Sequence, residues 1–250
     1  MEVHHHPHVE KKRFKEYFLE FLMIFFAVTL GFFAEGLREH FVDKKHENEY
    51  IHSFYKDLST DQWQLPVLID AINRQQLLGA DSVMLLLENA NTTSRANSIY
   101  FFLRGMIRQQ AIKAFISDRT VSQVENSGQM RLIDRQISDS LTDYYKLIYY
   151  VTDLQESLHK MKENLAQNMR PILSGLDYAK VIDSHDMIVY PKEDLHLLST
   201  DRTAINNCLM SISDIKGLST TIKELVALDI AEAANTNKLI SAKYGFKGEN

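Results

Sequence analysis

Apolar residues follow two regimes along this chain. Between Tyr17 and Ala34 they fall on every side of a helix: Phe18, Leu19, Leu22, Met23, Phe25, Phe26, Val28, Leu30, Phe32 and Phe33. Glu20 is the one charge in that run, and none occurs from Phe21 to Ala34. A helix apolar all round has no polar face for water, so lipid suits it better than a one-sided protein core. Eighteen residues at 1.5 Å each reach roughly 27 Å, close to the hydrocarbon thickness of a bilayer. The pattern predicts one transmembrane helix over residues 14–36, behind a polar, disordered tail over residues 1–13 that contains Pro7.

From residue 37 the pattern becomes helical and one-sided. Leu37, Phe41, Ile51, Phe54, Tyr55 and Leu58 continue the span as a stalk, expected to end near Ser59-Thr60-Asp61, residue types that cap helices. A second helix runs from Trp63 to Leu87 with Pro66 in its first turn, and residues 89–94 form a polar loop. Ser98 to Ile116 reads as a third helix. Asp118 opens a short one over residues 119–126, stopped by Gly128 in the left-handed position. The most regular seam steps by threes and fours from Ile133 through Ile137, Leu141, Tyr144 and Ile148 to Met169, and Pro171 ends it. Residues 175–198 are mixed, with His185 to Pro191 extended or irregular. Thr200 or Asp201 opens another helix, broken near Gly217, and a last one runs from Ser219 to about Tyr244.

No strand alternation competes with this pattern. The expected fold is all-α: a single transmembrane helix continuing into a stalk and a soluble helical bundle of about four or more long helices, over residues 37–250.

Composition narrows the classes. Nine glycines and four prolines are too few for a loop-rich β-sandwich, and a net charge of −5 offers no basic face for nucleic acid. One cysteine, Cys208, excludes an internal disulfide. Lys11, Lys12, Arg13 and Lys15 precede the apolar run as in a signal peptide. AEGLREHF stands where a small-x-small cleavage site would be, so an uncleaved anchor is expected. Those four cations and the terminal amine outweigh Arg38, Lys44 and Lys45 on the other side. The positive-inside rule then puts the N-terminus in the cytoplasm and the bulk domain in the periplasm, anchored in a cell inner membrane.

Candidate chemistry is sparse. His4, His5, His6 and His8 are good ligands for Zn²⁺, Ni²⁺ or Cu²⁺, with a solvated tract or a tag remnant as the plainer reading. Ala27 and Gly31 form a small-xxx-small pair that lets two spans approach closely, which makes a homo-oligomer one expected partner state. Glu35 and Glu39, one turn apart around Arg38, mark the membrane exit or, in an assembled ring, the mouth of a pore. Gly128 and Arg131 form a structural corner or a binding position, and Arg131 is expected to pair with Asp134 or Glu125. Asp183-Ser184-His185-Asp186 is a polar turn with ligand-type residues, and Cys208 is a small buried residue rather than a reactive thiol. There is no glycine-rich phosphate loop, HExxH helix or GxSxG elbow, so neither an enzyme nor a cofactor is expected.

Two blocks together carry a resemblance. MEVHHHPHVEKKRFKEYFLEFLMIFFAVTLGFFAEGLREH leads from a His-rich start into a span closing with GFFAE, and DRTVSQVENSGQMRLIDRQISDSLTDYY surrounds Ser127-Gly128 and Arg131-Leu132-Ile133. This resembles an uncharacterised family of single-span membrane proteins from Bacteroidota with a His-rich N-terminus, a domain of unknown function. It departs from that pattern at Val124-Glu125 and Gln129, where Leu-Lys and a second Gly are expected. The resemblance implies that the His tract is native, and it brings no activity or catalytic residue. The expected function is a non-enzymatic envelope interaction, scaffold or self-assembling protein, with the lipid bilayer and another envelope protein or further copies as partners. The alternatives are an oligomeric ion channel made of the single spans and a ligand-sensing periplasmic bundle.

Overall fold

The computed structural model describes residues 14–88, 93–108 and 116–246. The His4, His5, His6, His8 cluster lies outside them. Among the described residues every regular element is helical. The order is α1 (Phe14–Ala71), a π-helical turn (Ile72–Leu77), α2 (Leu78–Glu88), α3 (Thr93–Ile107), α4 (Arg119–Asn126), a 3-10 turn (Gln129–Leu132), α5 (Arg135–Asn168), α6 (Gly175–Ala179) and α7 (Arg202–Tyr244). Extended structure is limited to two isolated antiparallel bridges, Leu173–Leu197 and Ile182–Ile188. The all-α expectation is met.

The chain divides into two compact units after Tyr50. In the first, the apolar side chains of α1 meet no core: Phe21, Ile24, Phe25, Leu30, Phe32 and Phe33 are all exposed, Phe32 to 76%. An 18-residue stretch of this helix has a mean hydropathy of 2.0 with none of it buried, which makes it long and apolar enough to cross a membrane.

The second unit is built on seams of threes and fours. Ile51, Phe54, Leu58, Leu65, Leu68 and Ile72 are buried along one side, and Ile137, Leu141, Tyr144, Ile148 and Val151 along another. α5 and α7 pack antiparallel along their length. Asp134 pairs with Lys243, the Ser140 and Thr236 hydroxyls are 2.7 Å apart, and Asn168 Nδ2 donates to Ser211 Oγ at 2.8 Å. The end of α1, the π turn and α2 run antiparallel to α7 too. Asn237 Nδ2 donates to Ser59 Oγ (3.0 Å), Ser219 Oγ to the buried Gln76 Oε1 (2.9 Å), and Lys216 Nζ to Asp81 Oδ1 (2.5 Å).

Several boundaries differ from the sequence reading. Ser59-Thr60-Asp61 ends nothing, because α1 runs on to Ala71. Ser59 Oγ and Thr60 Oγ1 donate back to the carbonyls of Tyr55 and Lys56 at 2.7 and 2.9 Å, satisfying themselves inside the helix, and Asp61 turns inward. Pro66 lies inside α1 rather than in a first turn. It stands on the exposed side, where water can take the carbonyl it leaves unpaired. α3 begins at Thr93 and ends at Ile107, and residues 109–115 lie outside the described set. α7 passes unbroken through Gly217. The ~1 kcal/mol that glycine costs a helix interior is outweighed by Ile212, Ile215, Ser219 and Ile222, all buried around it. α4 matches its expected span, and Gly128 follows it with φ of +66°, the left-handed region expected of it.

Candidate functional site: an acidic layer inside the helical core

The largely apolar core of the second unit holds a layer of carboxylates and phenols. Asp61 on α1, Tyr144 on α5 and Asp229 on α7 each occupy a seam position, and none has any exposed surface. Helical spacing puts them there. Asp61 falls between Leu58 and Leu65, Tyr144 between Leu141 and Ile148, and Asp229 between Val226 and Ala233.

Asp61 is well served by donors. The Tyr144 hydroxyl donates to Oδ2 at 2.7 Å and the Ser117 backbone N–H to Oδ1 at 2.9 Å. Burial raises its carboxyl above the usual range, and those two bonds offset the rise only in part. Beside it, Tyr145 donates to the Ser117 carbonyl (3.2 Å) with its ring edge-on to Tyr144 at 5.0 Å. One turn earlier, half-buried Asp57 accepts from Thr120 Oγ1 at 2.5 Å. Helices α1 and α5 and the lead into α4 are thereby tied together by charge-assisted bonds.

Asp229 is the odd member. Both carboxylate oxygens are buried without a hydrogen-bond partner among the described residues. Burial, and then the nearby Asp61 and Glu232, push its carboxyl up to about 8, so at neutral pH it holds its proton. Burial and then Asp61 likewise drive the Tyr144 phenol upward, which keeps it a donor. The layer thus sets an acid that holds its proton, Asp229, near Asp61, which accepts two hydrogen bonds. Such a pair can store a proton, and unequal polar partners can fix which helices meet and in what register. No solvent reaches either oxygen pair, so a substrate has no path to them in this packing. Among the described residues, no three His, Cys, Asp or Glu side chains gather as metal ligands.

The sequence-nominated residues are scattered. Ala27 and Gly31 lie on the exposed part of α1, and a Cβ at Gly31 would meet nothing within 4 Å. Glu35 is engaged by Arg38, whose Nε and Nη2 donate at 2.9 and 2.5 Å, and Glu39 lies one turn on. Arg131 sits in the 3-10 turn after Gly128, not in the first turn of α5. Asp134, one of its two expected partners beside Glu125, accepts from the backbone N–H of Gln136 and Ile137 as the cap of α5 and pairs with Lys243. In the 183–186 turn, Asp183 Oδ1 accepts from the backbone N–H groups of His185 and Met187, both at 2.9 Å, which orders the loop. Asp186 there adopts φ of +58°. Cys208 is fully buried and its thiol is pushed up to about 12.

Sequence reading missed Asp61, Asp229 and the buried Lys162. The available signal was a charge at a seam position: 54, 58, 61, 65 and 68 on α1, 222, 226, 229 and 233 on α7, and 158, 162, 165 and 169 on α5 and its cap. No protein-family model, no curated protein and no solved structure matches the chain.

Proposed function

We propose that this is a membrane-anchored helical bundle with a non-enzymatic role in the cell envelope, binding a partner or further copies of itself. The observation that carries the reading is the first part of α1, whose phenylalanines, with Leu19, Ile24 and Leu30, are exposed with no protein core to receive them. Exposed apolar surface on that scale needs a cover, and a bilayer covers a helix all round. The charge balance across the span orients it with residues 1–13 in the cytoplasm and the bundle in the periplasm. The likeness to a single-span family with a His-rich start agrees with this layout. The sealed acidic layer supports an interaction role over catalysis, since it fixes helix pairing and offers no access to a substrate. A channel of assembled spans is the weaker reading, because Arg38 occupies the Glu35 carboxylate that a cation-attracting ring would use.

Labelling tests this. Lys160 is exposed on α5, and native Cys208, buried and with a raised thiol, stays silent. The variant Lys160→Cys in intact spheroplasts is expected to react with a membrane-impermeant maleimide. Labelling that appears only after lysis would reverse the orientation, and labelling of a protein found only in the soluble fraction would remove the anchor.

A further inference from the structure

Past the apolar run, α1 keeps one greasy stripe while its other sides turn polar. Charge enters at Glu35, Arg38 and Glu39, yet Leu37 and Phe41 among them are 45% and 70% exposed with no core to take them. The two are one turn apart. Stepping back from Leu37 by threes and fours reaches Ala34, Leu30, Ala27 and Met23, all of them exposed, in an unbroken heptad seam. Every other heptad register meets Glu35, Gly36, Arg38, Glu39 or His40 on leaving the run. Val42, also exposed, stands off the seam, with Arg38, Glu39, Lys45 and His46 three and four residues to either side. The seam stops one step after Phe41, where Lys44 holds Glu47 at 2.6 Å.

On the anchored reading above, lipid covers the first part of this seam but not its end. Leu37 falls in the headgroup layer, which is about 6 Å deep. Phe41 lies about 10 Å past Ala34 along the helix axis, beyond that layer. Its cover is therefore neither lipid nor this chain's own core. A second copy meets the requirement. Copies share one orientation in the membrane, so their seams meet in parallel and at the same depth, like residue against like. Ala27 and Ala34 let two backbones approach closely, and Leu30 and Leu37 fill the layers between them. Beside the seam, Arg38 is already neutralised by Glu35 of its own chain at 2.9 Å, so two copies do not repel there.

We propose that Met23, Ala27, Leu30, Ala34, Leu37 and Phe41 form the seam of a parallel, in-register homodimer that begins in the bilayer and continues into the stalk. This names a second copy as the partner that the anchoring role left open, and it rests on that role. Pairing brings two bundles to one point of the membrane, where a further partner can be held at two places at once.

Disulfide scanning of the full chain in native membranes tests this. Leu37→Cys and Phe41→Cys are each expected to give a covalent dimer on mild oxidation, because an in-register seam holds paired Cα atoms within the ~7 Å that a disulfide spans. Glu39→Cys, on the opposite side of the helix, and Val42→Cys are expected to stay monomeric, as is the unsubstituted chain with its buried Cys208. Leu37→Ser added to Phe41→Cys is expected to lower the covalent fraction severalfold, since each copy loses a buried leucine. Val42→Ser added to Phe41→Cys is expected to leave it unchanged. All these positions are exposed on α1, so the variants leave the bundle core intact. The products are read on membranes washed in alkaline carbonate. Loss of the intact chain to the supernatant would overturn anchor and seam together. A chain that stays in the pellet but crosslinks from neither Leu37→Cys nor Phe41→Cys, or equally well from Glu39→Cys, would overturn the seam alone.

Discussion

Asp229 stands where Ile222 and Val226 before it, and Ala233 and Ile240 after it, all face the core. Its neighbours are acids and a phenol, and no donor reaches its oxygens among the described residues. Folding therefore holds its proton up to about pH 8, against an ordinary value of 3.8. The sign follows from linkage: the folded state binds the extra proton, so the stability it confers is whole below pH 3.8 and is lost progressively as pH rises toward 8. At ~1.4 kcal/mol per pH unit the ceiling is on the order of 5 kcal/mol. Asp229→Asn is expected to raise the melting temperature, by little at pH 4 and increasingly up to pH 8. A gain independent of pH, or a loss that grows with pH, would contradict the assignment. Tyr144→Phe is expected to act the other way by about 1–3 kcal/mol in chemical denaturation, because Asp61 loses a buried donor.

Asp229 and Asp61 went unnoticed although local spacing places them as charges in apolar seams, and local spacing does not show what they face. Tyr144 lies 83 residues from Asp61, and nothing local encodes that meeting. Asp61 also follows Ser59 and Thr60, so the three read together as a cap. Lys162 was hidden in the same way, since its acceptor at Arg108 is 54 residues away.

Helix ends were legible where a side chain or a backbone angle makes them. Asp201 opens α7 by accepting from the Ala204 N–H at 2.9 Å, and Gly128 and Gly245 take the left-handed angles that close α4 and α7. Asp201→Ala and Gly128→Ala are each expected to cost about 1 kcal/mol, the first as a lost cap and the second as a strained φ. Urea denaturation measures both, and a change below a few tenths of a kcal/mol would show that these ends are held by packing alone. Elements whose boundaries depend on distant packing were not legible. Gly217 reads as a break, yet the residues around it are buried and hold α7 straight through. The π turn at Ile72–Leu77 has no local signature. It brings Gln76 to a buried position where Ser219, 143 residues on, donates to it.

At the scale of the whole molecule, the two regimes of apolar spacing became two units of different character. One-sided seams found partners and formed a core, while the all-round apolar run from Tyr17 to Ala34 found none. Periodicity made that division legible, because it asks only which sides of a helix are apolar. The proposed anchor, orientation and periplasmic bundle rest on this greasy helix, which is long and apolar enough to cross a membrane and has no protein cover.

Extraction of native membranes at high pH measures this directly. The full chain is expected to stay with the pelleted membranes in alkaline carbonate and to be released by detergent, whereas a chain lacking residues 14–36 leaves with the soluble proteins. Recovery of the intact chain in the carbonate supernatant would contradict a helix crossing lipid.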